Sequence, residues 1–201
     1  MTNRLASVRE RIAAAGLDAL LVSDLTNIRW LTGFKGSNGW LVVSASSLVF
    51  VTDGRYGEQA QRQSSAVGVS LEVLVGVTGA AVLEHTAQAV GRFARVGFES
   101  AYLTVLQHEQ HRAAVARVNE ACELVPVVGV VESCRRSKDS DEVESIEAGC
   151  LVESPVVDDP SLLPARAPKD IREWLAQTDG AWSERSRILP NLEAVADCQG
   201  T

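Results

Sequence analysis

Proline is scarce through the first three quarters of this chain. Of its six prolines only Pro126 lies before residue 150, while Pro155, Pro160, Pro164, Pro168 and Pro190 follow it. Histidine is scarcer: His85, His108 and His111, with none after them. Four cysteines (Cys122, Cys134, Cys150 and Cys198) are widely spaced and form no CxxC. That excludes a zinc knuckle and reads as reduced thiols in a cytoplasmic protein. Basic charge is in deficit, with 19 Lys and Arg against 26 Asp and Glu, a net charge of −7. The electrostatic footprint of a nucleic-acid binder is therefore missing. No run approaches the ~18 apolar residues that would span a bilayer. The opening stretch, with Arg4, Arg9 and Glu10, has charge where a signal peptide would be apolar.

What is present is globular. Hydrophobic residues make up 46% and charged residues 22% of 201, the balance of a chain that buries one real core with an extension. Leu5, Val8, Ile12 and Ala15 have helical spacing, stopped by Gly16. Asp18 to Val22 is an apolar run suited to a buried strand. Trp40–Val43 and Leu48–Val51 flank a serine-rich turn and predict a hairpin. Strands are expected at 69–75, 95–98 and 123–127, and helices at 56–63, 80–94, 104–118 and 130–136. Val82, Ala89, Val90 and Phe93 form the expected inner face of the second of these helices. A further helix should open at Lys138-Asp139-Ser140-Asp141-Glu142, whose carboxylates suit a first turn. Alternating strands and helices with one hairpin predict an α/β fold, a mixed sheet of about six strands flanked by helices.

Among the chemistry-bearing residues, His108 and His111 stand three apart. Zinc-binding HExxH needs four, and no third ligand is evident. The pair reads as an exposed polar helix face. Gly33-Phe-Lys-Gly-Ser-Asn-Gly39 lacks the GK[ST] ending of a phosphate loop; it reads as a tight loop whose glycines take positive φ. Trp40 reads as packing, and Trp30 as either packing or an interface wall. Cys134 has cations nearby but no paired acid or histidine. Asp53-Gly-Arg-Tyr56 lies between a strand end and a helix start, where α/β folds place functional groups. Asp53 can cap the helix, and Arg55 offers a planar fork for a carboxylate.

Several ordered segments carry a resemblance. They are Gly16-Leu-Asp-Ala-Leu-Leu-Val-Ser-Asp-Leu-Thr-Asn-Ile-Arg-Trp-Leu-Thr-Gly-Phe-Lys-Gly-Ser-Asn-Gly39, then Val51-Thr-Asp-Gly-Arg-Tyr56, then Val96-Gly-Phe-Glu99, then Val130-Val-Glu-Ser-Cys-Arg-Arg-Ser-Lys-Asp139. Together they resemble the creatinase/aminopeptidase P N-terminal domain, as found in bacterial Xaa-Pro aminopeptidases and Xaa-Pro dipeptidases. The resemblance implies such a domain at 1–135 and the start of an interdomain helix at 136–148. In the family a pita-bread catalytic domain follows, in which two aspartates, a histidine and two glutamates hold two divalent metals, Mn or Zn. That domain releases the residue preceding proline. It also implies that N-terminal domains lend residues to a neighbouring subunit's active site. By that resemblance Arg55, Asp53, Tyr56 and Phe34 are the residues expected to meet substrate or a partner subunit. An Asp cap with an internal Arg–carboxylate pair is the structural alternative.

Residues 149–201 keep no family landmark and no histidine. This divergent tail is expected to be poorly ordered and to lack the catalytic domain, either as a shifted reading frame of a longer peptidase or as an extension of a free-standing domain. The expectation is a non-catalytic chain with no metal of its own, inactive alone. Its partner would be itself or a full-length family member, with no nucleic acid and no membrane. A stand-alone interaction module is the alternative.

Overall fold

The computed structural model describes residues 2–136 and, beyond them, Lys138, Val143 and Ile146. Elements run α1 (Thr2–Ala14), β1 (Ala19–Val22), α2 (Leu25–Thr32), β2 (Trp40–Ser44), β3 (Leu48–Asp53), α3 (Gly57–Ala66), β4 (Glu72–Gly76), α4 (Gly79–Val90), β5 (Arg95–Glu99), α5 (Val105–Val118), β6 (Glu123–Val127) and α6 (Val130–Arg135).

The six strands form one sheet in the order β4-β3-β2-β1-β5-β6. Strand β2 is antiparallel to both neighbours, and the other pairings are parallel. Five strands therefore point the same way, and their C-terminal ends share one end of the sheet. The predicted hairpin is β2–β3, with Val43 opposite Leu48. Its turn is closed by Ser44 N–H donating to the Ser47 carbonyl at 3.0 Å and by a 2.7 Å contact between their hydroxyls.

Side chains alternate across the sheet, as a period of two requires. Leu20, Val22, Leu41, Val43 and Phe50 face one core with Val8 and Ile12 of α1, Ile28 and Leu31 of α2, Ala60 of α3 and Val131 of α6. Leu21, Val42, Val49, Val51, Val96 and Phe98 face the other, with Val82 and Val90 of α4 and Ala114 and Val115 of α5. Helices cover both faces, so the central strands read as unbroken apolar runs rather than alternating ones.

Several elements depart from sequence expectation. Helix α2 has no predicted counterpart: Thr26, Asn27, Ile28 and Thr32 are weak helix formers. Its ends hold it instead. Asp24 accepts the Thr26 N–H at its start, and Gly33, at φ 74°, closes it through an N–H to the Arg29 carbonyl. Only glycine takes that left-handed closure without strain. Strand β4 begins at Glu72, not at residue 69; buried Val69 and Leu71 lead into it. Helix α4 stops at Val90, so Phe93 packs from the following turn. Of the helix expected from Lys138, Val143 and Ile146 are described and helical; the rest of it and the whole of 149–201 lie outside the described residues.

Candidate functional site

The common C-terminal end of the strands gathers two polar clusters. The first grows from the end of β3. Asp53 is its last residue, and the turn that follows sends Arg55 back over it. Arg55 donates Nε to Asp53 Oδ1 at 3.1 Å and Nη2 to Oδ2 at 2.8 Å, and its backbone N–H donates to Oδ1 at 2.9 Å. Asn38, just before β2, donates its amide to Asp53 Oδ2 at 2.7 Å, and the Thr52 hydroxyl donates to the Asn38 carbonyl at 2.7 Å. The Arg55 fork, then Asn38, hold the Asp53 carboxyl well below the usual carboxylate range. Asp53 therefore closes an Asx turn on Arg55. It does not cap α3, whose N-cap is Tyr56 without a side-chain bond.

Arg55 stays accessible: its side chain is 70% exposed against 20% for Asp53. Its guanidinium carbon lies 5.0 Å from the centre of the Tyr56 ring, and the Tyr56 hydroxyl is 2.8 Å from the Ser37 hydroxyl. Tyr56 meets Phe34 edge-on at 5.7 Å. Phe34 is 1% exposed and rests on Phe50 at 4.7 Å. Of the four candidates, Arg55 and Tyr56 reach the surface, Asp53 orients Arg55, and Phe34 supports Tyr56 from the core. The glycine loop serves this packing. A Cβ on Gly36 would sit 2.2 Å from the Phe34 ring, and one on Gly39 would sit 2.3 Å from the Phe50 ring. Of the loop's glycines only Gly33 has the expected positive φ; Gly36 and Gly39 are demanded by close approach instead.

The second cluster grows from the end of β5. Glu99, 5% exposed, accepts the backbone N–H of Ser23 at 2.7 Å and of Asp24 at 2.8 Å through Oε2. Its Oε1 accepts from the Asn27 amide at 2.6 Å, and the same amide donates to Glu132 Oε1 at 2.9 Å. Arg135 donates to the Asn27 carbonyl at 2.8 Å. Burial raises the Glu99 pKa, opposed by these three donors and assisted by the Glu132 charge. Sequence reading did not single out these residues as a site, although each stands inside one of the quoted landmark segments.

The histidines are not an exposed polar face. His111 is 3% exposed, with its ring 4.4 Å from that of Trp40, while His108 stacks on Phe98 at 4.8 Å. Helix α5 turns this side onto the sheet, so the pair packs rather than solvates. Trp40 packs as expected, half-buried against the second core and the His111 ring, and Trp30 is buried. Among the described residues no group of three or more His, Cys, Asp or Glu could hold a metal ion. None of the described helices is long and apolar enough to cross a membrane.

This fold and these landmarks are shared. Residues 4–137 match the family model of the creatinase/prolidase N-terminal domain. The chain belongs to that family. It is 34% identical over 151 residues to the uncharacterized peptidase YqhT of Bacillus subtilis, an alignment covering 74% of this chain and 40% of that one. Among solved structures it resembles the N-terminal domain of the cytoplasmic peptidase PepQ from Mycobacterium tuberculosis. The identity there is 41% and the TM-score 0.56, over 66% of this chain and 98% of that one. An Xaa-Pro dipeptidase from Bacillus anthracis matches at 25% identity and TM-score 0.63, over 78% of this chain and 43% of the other. The chain thus spans less than half the length of the whole peptidases it matches, and nearly all of an isolated N-terminal domain.

Proposed function

We propose that this chain acts as the non-catalytic N-terminal domain of an Xaa-Pro peptidase, presenting Arg55 and Tyr56 to substrate or to a neighbouring catalytic domain. One observation carries the reading. Arg55 is largely exposed yet held by a two-point fork from Asp53 at the common strand end. A guanidinium so fixed keeps outward N–H groups for a carboxylate or carbonyl oxygen without having to be ordered on binding. The chemistry of releasing the residue before proline, with two divalent metals (Mn or Zn), would belong to the catalytic domain, in the cytoplasm.

The second reading is an interaction module, pairing with itself or with a full-length relative. Tyr102, Val105, Leu106 and Val128 are exposed apolar or aromatic residues at this same end of the sheet, following the neighbouring strands β5 and β6. Clustered exposure of this kind marks contact surfaces.

The test uses the purified chain, an Xaa-Pro peptide and Mn²⁺, with and without a catalytic domain taken from a full-length relative. The chain alone should release nothing, and adding it to the catalytic domain should raise the rate, less so with Arg55→Ala. Metal-dependent release by the chain alone would refute the non-catalytic reading. Equal support from the variant would refute the role of Arg55.

A further inference from the structure

Between the two clusters lies a groove of about 320 Å³ lined by Asp24, Leu25, Asn38, Trp40, Tyr102 and Gln107, among others. We propose that it binds a primary ammonium group carried on a short apolar stem. The inference does not rest on the peptidase reading.

The argument starts at Asp24, which is 7% exposed. Its Oδ1 is spent on the Thr26 N–H at the start of α2. Its Oδ2 is buried and has no hydrogen-bond partner among the described residues. An unpaired buried carboxylate oxygen is costly, and a ligand that satisfies it recovers that cost. Tyr102 lines the same groove, and the Asp24 charge, with a loose side-chain hydrogen bond to Asp24, raises its pKa, but that contact does not close on Oδ2 with hydrogen-bond geometry. Tyr102 is 50% exposed.

The hydrogen-bond inventory sets the ligand's chemistry. Several donors at the groove are already used: the Asn38 amide on Asp53, and the Ser23 hydroxyl and the Ser23 and Asp24 N–H groups on Glu99. The acceptors left are the buried Asp24 Oδ2, the Asn38 side-chain carbonyl and the hydroxyl oxygens of Ser23 and Tyr102, while the Gln107 amide and the Trp40 indole N–H are donors that also line the groove. No lysine, arginine or histidine lines the groove. The carboxylate of Glu99 lies behind Asp24 and deepens the negative field. A buried carboxylate oxygen with no basic side chain near it calls for a positive charge that carries N–H donors, and a primary ammonium brings both. A guanidinium fits less well. Its planar fork needs both oxygens of a carboxylate, and Asp24 has only one to give. Leu25 and the Trp40 ring offer an apolar wall for the stem, and Trp40 a face for the cation.

The probe is n-butylammonium, titrated into the 201-residue chain and followed by amide NMR, with n-butanol as the uncharged control. Saturable shifts are expected at residues 23–25 and 38–40 and at the Trp40 indole N–H, with a Kd of the order of millimolar. Asp24→Asn preserves the helix cap, since asparagine caps as well as aspartate, and should weaken binding about tenfold or more. On the wild-type chain, raising salt from about 20 to about 200 mM should weaken it too. Absence of saturable shifts, equal shifts with n-butanol, unchanged binding in Asp24→Asn, or indifference to salt would each overturn the site.

Discussion

At the end of β3, Asp53 and Arg55 meet in the open, with partners two residues apart in sequence and every carboxylate oxygen bonded. At the end of β5, a few strands away, Glu99 sits inside the protein and ties together Ser23, Asp24, Asn27 and, through Asn27, Glu132 and Arg135. The two clusters use the same residue types for different ends. Water screens the exposed pair, so it holds a side chain in place while adding little stability. The buried one fastens the starts of α2 and α6 to the sheet, and each bond lost there leaves a polar group without water. In the proposed function, one cluster presents a side chain, while the other is a structural joint.

The largest effect should therefore come from Glu99→Ala. It strips four donors of their acceptor, two of them backbone N–H groups on which the entry to α2 depends. A loss of about 3–5 kcal/mol is expected, the usual range for breaking a buried charged network. Urea unfolding at unchanged slope would measure it. A loss under about 1 kcal/mol would erase the distinction between the clusters.

Acid sharpens the comparison next. Burial, with a smaller contribution from the His108 charge, lowers the His111 pKa from 6.5 to about 4. The folded protein thus holds His111 neutral while the unfolded chain protonates it. Stability is full above about pH 6.5 and falls as pH drops towards 4, by about 2 kcal/mol at pH 5. Glu99 works in the opposite direction, because its raised pKa favours the folded state as it protonates. Asp53, with its lowered pKa, adds stability that is lost only in more acid solution, below its ordinary value. His111→Leu should flatten the stability difference between pH 7 and pH 5. An unchanged slope would place the acid sensitivity elsewhere.

The same contrast explains what sequence could reveal. The Asp53–Arg55 pair is local, and its turn chemistry can be read from four adjacent residues. The strands were legible because both faces of the sheet are covered, which leaves unbroken apolar runs such as Trp40–Val43. Asn27 meets Glu99, Glu132 and Arg135 across separations of 72, 105 and 108 residues. No spacing rule connects such positions before strand order is known. Helix α2 was missed because weak helix formers hid it, although Asp24 and Gly33 mark its two ends. His111 was misplaced because α5 has no clear apolar stripe: Val105 and Leu106 point outward while a histidine points in.

The smallest change in stability, and the largest in function, should follow Arg55→Ala. Its side chain is mostly in solvent, its partner Asp53 keeps the Asn38 amide and the turn N–H, and Tyr56 keeps Ser37 and Phe34. The melting temperature should stay within about 3 °C of the parent. Arg55→Lys should match it in stability but not in support of a catalytic domain, because an ammonium cannot take both oxygens of Asp53 and stay aimed outward. Asp53→Asn would then act on the same property from beneath, leaving the charge on Arg55 but removing what orients it. If Lys at 55 and Asn at 53 both support catalysis as well as the parent, orientation is irrelevant, and the open cluster is a turn like any other.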